Sequence, residues 1–120
     1  MGHVYVDAEI FGRRRKKLSR ILVDTGATYT VVEYRIVEGI GAVKLNGKMW
    51  IELGDGRRVK ADVYAVKIKI GNRIAPCIAV SFPGAKNVLG VEALESLGLN
   101  VDLKRRKLVK SRPGGVAYFY

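Results

Sequence analysis

Apolar and polar residues alternate with a period of two along most of the chain, and no other feature constrains the fold as strongly. Near the start of the chain, the alternating apolar positions are Val4, Val6, Ala8 and Ile10. Such alternation is typical of strands that bury one face. Turn signals separate these segments: a basic run over 12–17, then Asn46-Gly47, Gly54-Asp55-Gly56 and Gly71-Asn72. We predict a hairpin at each of these turns, and Asn46-Gly47 is the strongest signal.

One segment departs from this period. Between Gly90 and Leu99, the apolar residues Val91, Leu94 and Leu97 have helical spacing, and Gly98 is placed to end a helix. The chain of 120 residues is long enough for one domain, and no apolar run approaches the roughly 20 residues that cross a membrane. We therefore predict a single all-β domain over residues 1–120, mostly antiparallel and closed, with one short helix near Gly90–Leu99 and no membrane partner.

Composition limits the cofactors and the partners. Cys77 is the only cysteine and His3 the only histidine, so we expect neither a disulfide nor a metal site, no cofactor, and a cytoplasmic protein. The net charge is +11, which is typical either of a solvated, ion-pair-rich surface or of an anion-binding protein. We favour the solvated surface because the charges are spread out, although Arg13–Lys17 and Lys104–Lys107 would form an anion-binding patch if they converged.

The candidate for chemistry is the segment from Ile21 to Thr28, in which an apolar strand leads directly into Asp24. A carboxylate at the end of a buried strand is costly unless it is compensated. Gly26 would allow backbone N–H groups to approach that carboxylate closely, and the Thr25 hydroxyl could fix the loop. The alternative is an ordinary turn, because Asp and Gly are common turn residues.

Three segments together resemble the retroviral-type (retropepsin-like) aspartic proteases. Asp24-Thr25-Gly26-Ala27-Thr28 resembles their active-site loop, and Asn87-Val88-Leu89-Gly90 resembles the segment that packs behind it. Gly54-Asp55-Gly56 resembles the tip of the flap that covers the substrate. Viral members usually carry an acid where this chain has Thr28 and an arginine where it has Val91. The absence of both favours a cellular member of the family.

The resemblance implies a closed retropepsin-like acid-protease β-barrel and assigns roles within it. The catalytic residues would be Asp24, Thr25 and Gly26. Substrate contacts would come from Ala27, Thr28, Gly54, Asp55 and Gly56, and structural support from Val88, Leu89 and Gly90. Aspartic protease chemistry needs two carboxylates that share a proton and activate a water. The chain has one Asp-Thr-Gly, so the second Asp24 would come from another copy in a homodimer that cleaves peptides or unfolded proteins.

Two other functions remain open. The chain could be a non-catalytic or weakly active peptide-binding dimer of the same fold, because fold does not guarantee function. It could also be a basic β-barrel that binds nucleic acid, although most aromatic residues lie away from the basic runs.

Four further residues or segments carry predictions of their own. We expect Trp50 to pack in the core or against the flap rather than in a substrate pocket, Asp62 to face solvent, and Cys77 to be buried. The apolar tail Val116–Tyr120 is predicted to form a strand. The resemblance implies that this strand joins a sheet between subunits, and the alternative is that it folds back onto its own barrel.

Overall fold

A computed structural model describes residues 3–116 of the chain. Its eleven elements include two short helices, α1 (Tyr34–Gly39) and α2 (Val91–Leu97). The strands are β1 (Val4–Phe11), β2 (Arg15–Val23), β3 (Thr30–Val31), β4 (Val43–Glu52), β5 (Arg58–Ile70), β6 (Arg73–Ser81), β7 (Val88–Leu89), β8 (Leu99–Asp102) and β9 (Lys107–Lys110). The chain is therefore mostly β, as predicted.

Six strands pair into a ring. Hairpins join β1 to β2 and β5 to β6, while β2 pairs in parallel with β7 and β3 in parallel with β6. Antiparallel pairing of β3 with β7 and of β1 with β5 completes the circle β1-β2-β7-β3-β6-β5-β1. Strand β4 extends outward from β5, and β8 and β9 form a separate two-stranded sheet. This closure places the ends of β2 and β7 side by side.

The alternating pattern sorts residues between core and solvent as predicted. Val4, Ala8 and Ile10 of β1 are buried, and Val23 and Leu18 of β2, which pair with Val4 and Ala8, are buried with them. A second apolar cluster of Ala61, Val80, Phe82 and Ala85 lies apart from this main core. Burial of one strand face thus accounts for the period-two pattern.

The predicted Asn46-Gly47 hairpin is wrong. Lys44 pairs with Tyr64 and Lys48 with Asp62, so residues 45–47 form a bulge opposite the single residue 63 of β5. Gly47 has a φ of +86°, which suits the bulge as well as it would a hairpin turn. The Asn-Gly signal was overridden because β5, with 13 residues, is long enough to pair with both halves of β4. The other three predicted hairpins form.

The helix predicted near Gly90–Leu99 is confirmed as α2, with Gly90 at its N-cap and Gly98 in the left-handed conformation at its C-cap. The prediction of only one helix is wrong, because α1 is also present. Helix α1 has six residues, lacks a side-chain cap and buries only Ile36 and Val37, so it carries too short a pattern to be recognised. Within the described part of the chain, neither helix is long and apolar enough to span a membrane.

Candidate active site

Asp24 lies where β2 ends beside β7. Parallel pairing of Leu22 with Val88 and of Val23 with Leu89 brings the two strands together. The Asp24 N–H donates to the carbonyl of Leu89 at 2.9 Å, and the loop then turns as the Ala27 N–H donates to the carbonyl of Asp24 at 3.1 Å. The side chain of Asp24 thus leaves the core at the strand terminus and is exposed.

Gly26 holds the carboxylate of Asp24 in place. Its N–H donates to Asp24 Oδ1 at 2.9 Å. A side chain at position 26 would place its Cβ 3.2 Å from the same oxygen, which is tighter than an ordinary contact. The prediction that a glycine here lets the backbone approach the carboxylate is confirmed. The short loop orients one carboxylate oxygen, and among residues 3–116 no group donates a hydrogen bond to the other.

The segment behind the loop fixes it through the backbone. The N–H of Val91 donates to the carbonyl of Ala27 at 2.8 Å, and the N–H of Glu92 donates to that of Thr28 at 2.9 Å. The N–H of Gly90 donates to the buried hydroxyl of Thr30 at 3.1 Å. These bonds make the loop and the start of α2 a single rigid unit.

A cleft of about 870 Å³ opens over Asp24. The β4–β5 hairpin lies across it, and Leu53 and Gly54 of this hairpin line the cleft together with Asp24. The hairpin is closed by two hydrogen bonds, from the Leu53 N–H to the carbonyl of Arg57 at 2.7 Å and from the Gly56 N–H to that of Leu53 at 2.9 Å. The turn predicted as a flap therefore faces the predicted catalytic carboxylate.

The predicted site residues fall into three groups. Those that line the cleft are Asp24, Gly26, Ala27, Thr28, Gly54 and Val88. Leu89 and Gly90 are buried behind the loop, as expected for supporting residues. Thr25, Asp55 and Gly56 are exposed and lie outside the lining of the cleft of a single chain. At the hairpin tip, hydrogen bonds from the backbone and side chain of Arg57 hold the pKa of Asp55 below its usual range.

Most of the apolar wall of the cleft was not predicted. It comprises Tyr29, Val31, Met49, Ile51, Leu53, Val80 and Phe82. Met49, Ile51 and Leu53 alternate along the segment that leads to the hairpin tip. Their period of two could have predicted that the three side chains lie on the same face of the strand. The remaining members belong to β3 and β6 or lie next to them in the chain, and only the tertiary structure brings these two strands to the cleft.

The prediction that Trp50 packs in the core or against the flap is wrong. Trp50 is 63% exposed and lies at the margin of the cleft. Its alternation with the partly buried Met49 and Ile51 places it on the outer side of β4. There Lys60, its partner across the strands, holds its ammonium 5.3 Å from the centre of the indole ring.

Asp62 was predicted to face solvent, and this is also wrong, because Asp62 is only 6% exposed. The Tyr34 hydroxyl donates to Asp62 Oδ2 at 2.8 Å, and the ammonium groups of Lys48 and Lys44 lie 3.3 and 3.5 Å from Oδ1. The hydrogen bond from Tyr34, followed by the lysine charges, keeps the pKa of Asp62 below its usual range. Burial, together with Asp62, raises the pKa of Tyr34 to about 12. The two lysines flank the bulge of β4, so Asp62 anchors the strand that leads to the hairpin tip.

Cys77 is buried, as predicted, and desolvation raises the pKa of its thiol to about 12, so it is not a candidate nucleophile. Among residues 3–116, no group of histidine, cysteine and acidic side chains is arranged to hold a metal ion.

A ring of strands with an Asp-Thr-Gly loop at the end of β2, a glycine segment behind the loop and a hairpin above it defines a retropepsin-like aspartyl protease domain. The sequence model of the aspartyl protease family matches residues 6–101, and the chain belongs to that family. The resemblance noted in the sequence is thereby confirmed.

The chain is similar to two fungal proteins, and these relatives make it a cellular member of the family. DNA damage-inducible protein 1 of Neurospora crassa is 30% identical over 112 residues, and the protein of the same name from Chaetomium globosum is 27% identical over 111 residues. Each alignment covers 88% of this chain but 24% of the relative. The chain thus spans about a quarter of the length of the relatives it matches.

Proposed function

We propose that the chain is an aspartic endopeptidase that works as a homodimer, with its ring of strands acting as the closed barrel of the retropepsins. One observation carries the proposal. The Asp24 carboxylate is exposed on the floor of the cleft, beneath the β4–β5 hairpin, with one oxygen held by the Gly26 N–H. A carboxylate with one oxygen oriented and the other open can accept a proton from a water.

A single chain supplies half of the required chemistry. Asp24 is the only aspartate among the described residues that line the cleft, and Glu52, the other carboxylate there, is paired with Arg58 at 3.4 Å. Asp7 accepts a hydrogen bond from the backbone of Arg20, and Asp62 is buried against Tyr34, so neither is available there. A second Asp24, related by two-fold symmetry, would complete the pair.

In the dimer the two Asp24 carboxylates would share one proton, because two carboxylates in close contact cannot both be ionised. The ionised member removes a proton from the attacking water, and the protonated member donates a hydrogen bond to the oxyanion that forms on the peptide carbonyl. The pair therefore needs an acidic medium to keep its shared proton, and activity is expected to peak in acid and decline as both carboxylates ionise.

The cleft suits an extended polypeptide. Its wall of apolar side chains would accept apolar substrate residues, and the backbone around Gly26, Ala27, Thr28 and Gly54 would bind the substrate main chain. Thr25 would bond across to the partner loop, and Asp55 and Gly56 would contact the substrate after the hairpin closes. A cytoplasmic location stays a prediction.

Replacement of Asp24 by Asn tests the proposal. We expect Asp24→Asn to abolish cleavage of an unfolded protein substrate at acid pH and to leave the melting temperature unchanged, since the side chains are nearly isosteric. Asp102→Asn is the matched control, because Asp102 is the last residue of β8 and accepts a hydrogen bond from the Arg105 N–H that an amide oxygen can also accept. A pepstatin-type inhibitor should block the wild-type protein and the control variant.

Two outcomes would contradict the proposal. Equal cleavage by purified Asp24→Asn would exclude the aspartate mechanism. Saturable binding of an unfolded substrate without turnover at any pH would indicate a peptide-binding dimer instead.

Sedimentation tests the homodimer separately. Each copy carries a net charge of +11, so association should tighten as salt screens the repulsion. Residues 117–120 of the tail predicted to join the subunits lie outside the described residues. Deletion of Val116–Tyr120 should yield inactive monomers if the tail forms the interface, whereas an active truncated dimer would place the interface elsewhere.

A further inference from the structure

A groove rich in basic side chains adjoins the catalytic cleft. Its basic lining residues are Lys16, Lys17, Arg20, Arg35 and Lys86, and its volume is about 400 Å³. A neighbouring depression shares Lys16, Lys17 and Arg35 with it and adds Arg14 and Arg15. We call the two together the basic groove. The sequence left open whether Arg13–Lys17 and Lys104–Lys107 converge. Residues 104–107 line neither depression, and residues 14–17 instead meet α1 and the segment before β7.

Little negative charge offsets the basic groove. Glu9 lies outside the lining, opposite Lys17 across the strands, and its Oε2 is 3.7 Å from Arg15 Nε, while Glu33 is the one acidic side chain among the described residues that line the groove. Its carboxylate is already engaged by Arg35 Nη2 at 3.5 Å and by Asn87 Nδ2 at 3.0 Å. Lys16 and Lys17 are exposed, so the groove presents a concentrated positive field to solvent.

Lys86 connects the basic groove to the catalytic cleft, because it lines both. Of the next two residues in the chain, Asn87 lines the groove and Val88 lines the cleft. A chain segment that leaves the cleft past Lys86 would therefore enter the groove directly.

We propose that the basic groove binds an acidic stretch of the polypeptide substrate, next to the part that occupies the cleft. The inference rests on the proposed peptidase function and names the substrate class that the site selects. Polypeptide is favoured over single-stranded nucleic acid because none of the described lining residues is aromatic, whereas surfaces that bind single strands use aromatic stacking. The groove would lower KM for substrates with an acidic stretch and leave kcat unchanged, because it binds remote parts of the substrate equally in the ground and transition states.

The test compares two triple variants of equal charge. The groove variant is Lys16→Gln/Lys17→Gln/Arg35→Gln, and the control is Lys104→Gln/Lys107→Gln/Arg105→Gln. Arg105 is matched to Arg35 because it also belongs to an exposed ion pair, with Asp102 at 3.8 Å. Two peptide substrates share one cleavable core and differ in a flanking stretch of either Glu or Gln residues. We expect the groove variant to raise KM for the Glu substrate about tenfold, with KM for the Gln substrate and both kcat values unchanged. The control should behave as wild type.

A binding measurement separates failure of this inference from failure of the peptidase proposal. Fluorescence anisotropy of the labelled Glu peptide on Asp24→Asn reports binding without any need for cleavage. The inference stands if the groove substitutions weaken this binding about tenfold and the control substitutions do not. Equal weakening by both triple variants would show only a general charge effect and would overturn it. Tighter binding of a single-stranded RNA of equal charge, lost in the groove variant, would overturn it in favour of nucleic acid.

Discussion

Replacement of Gly90 by Ala should disrupt the catalytic loop from behind. A Cβ at this position would lie 2.4 Å from the carbonyl carbon of Tyr29, 2.5 Å from its oxygen and 2.9 Å from the Thr30 nitrogen. All three are backbone atoms, so no side-chain rotation can relieve the contact. The backbone of Gly90 has a φ of −96°, which Ala can adopt, so the penalty comes from packing and not from the dihedral angle.

The size of the effect follows from what must move. To reach an ordinary contact, the Tyr29–Thr30 backbone must shift by about 1 Å away from Gly90, since carbon atoms pack at about 3.5 Å. That shift strains the hydrogen bond from Gly90 to Thr30 and those that bind Ala27 and Thr28 to α2. Overpacking of this kind costs about 3 kcal/mol, and for a domain of this size that lowers the melting temperature by roughly 12 °C.

Thermal unfolding at fixed protein concentration and the cleavage assay together provide the measurement. Gly39→Ala is the matched control, because a Cβ at Gly39 meets nothing within 4 Å and the residue lies in α1. It should be neutral or stabilising by a few tenths of a kcal/mol, since Ala is the better helix former. We expect Gly90→Ala to lose cleavage activity even below its melting temperature, because the Asp24 loop moves with Tyr29. A Gly90→Ala protein that is as stable and active as Gly39→Ala would refute the packing argument.

The remaining predictions concern Asp62 and the hairpin tip. Tyr34→Phe should cost about 2 kcal/mol at neutral pH, since it removes a hydrogen bond to a buried carboxylate. That bond lowers the pKa of Asp62 in the folded state, so its contribution is present above the unfolded pKa and disappears as pH falls through the folded pKa. Urea unfolding of both proteins at neutral and acid pH checks this, and a difference that persists in acid would contradict it. Gly54→Val should impair turnover, because Gly54 lines the cleft on a hairpin that must open for substrate. It should cost little stability, because a Cβ there meets nothing within 4 Å. Gly56→Val should cost stability as well, because Gly56 has a φ of +87°, which a valine adopts only with strain. Equal melting temperatures for the two variants would contradict this predicted difference in stability.

Short-range patterns predicted the elements that depend on neighbouring residues. Alternation identified the strands, Gly71-Asn72 and Gly54-Asp55-Gly56 identified two hairpins, and Gly98 marked the end of α2. The Asp-Thr-Gly loop was recognised by its resemblance to a known family, and the close approach of Gly26 to Asp24 was predictable because it spans only two residues. A local sequence pattern is enough wherever the interacting groups are close along the chain.

Long-range pairing decided the remainder. The pairing of β1 with β5 joins residues about sixty positions apart in the sequence. The hydrogen bond between Thr30 and Gly90 spans a similar sequence separation. Asp62 has the alternation of an exposed residue, yet Tyr34 and the lysines that flank the bulge of β4 bury it. The basic groove likewise forms only when β2, α1 and Lys86 come together. Such contacts leave no periodic trace in either partner, because each depends on a residue that chain folding, rather than sequence proximity, brings into place.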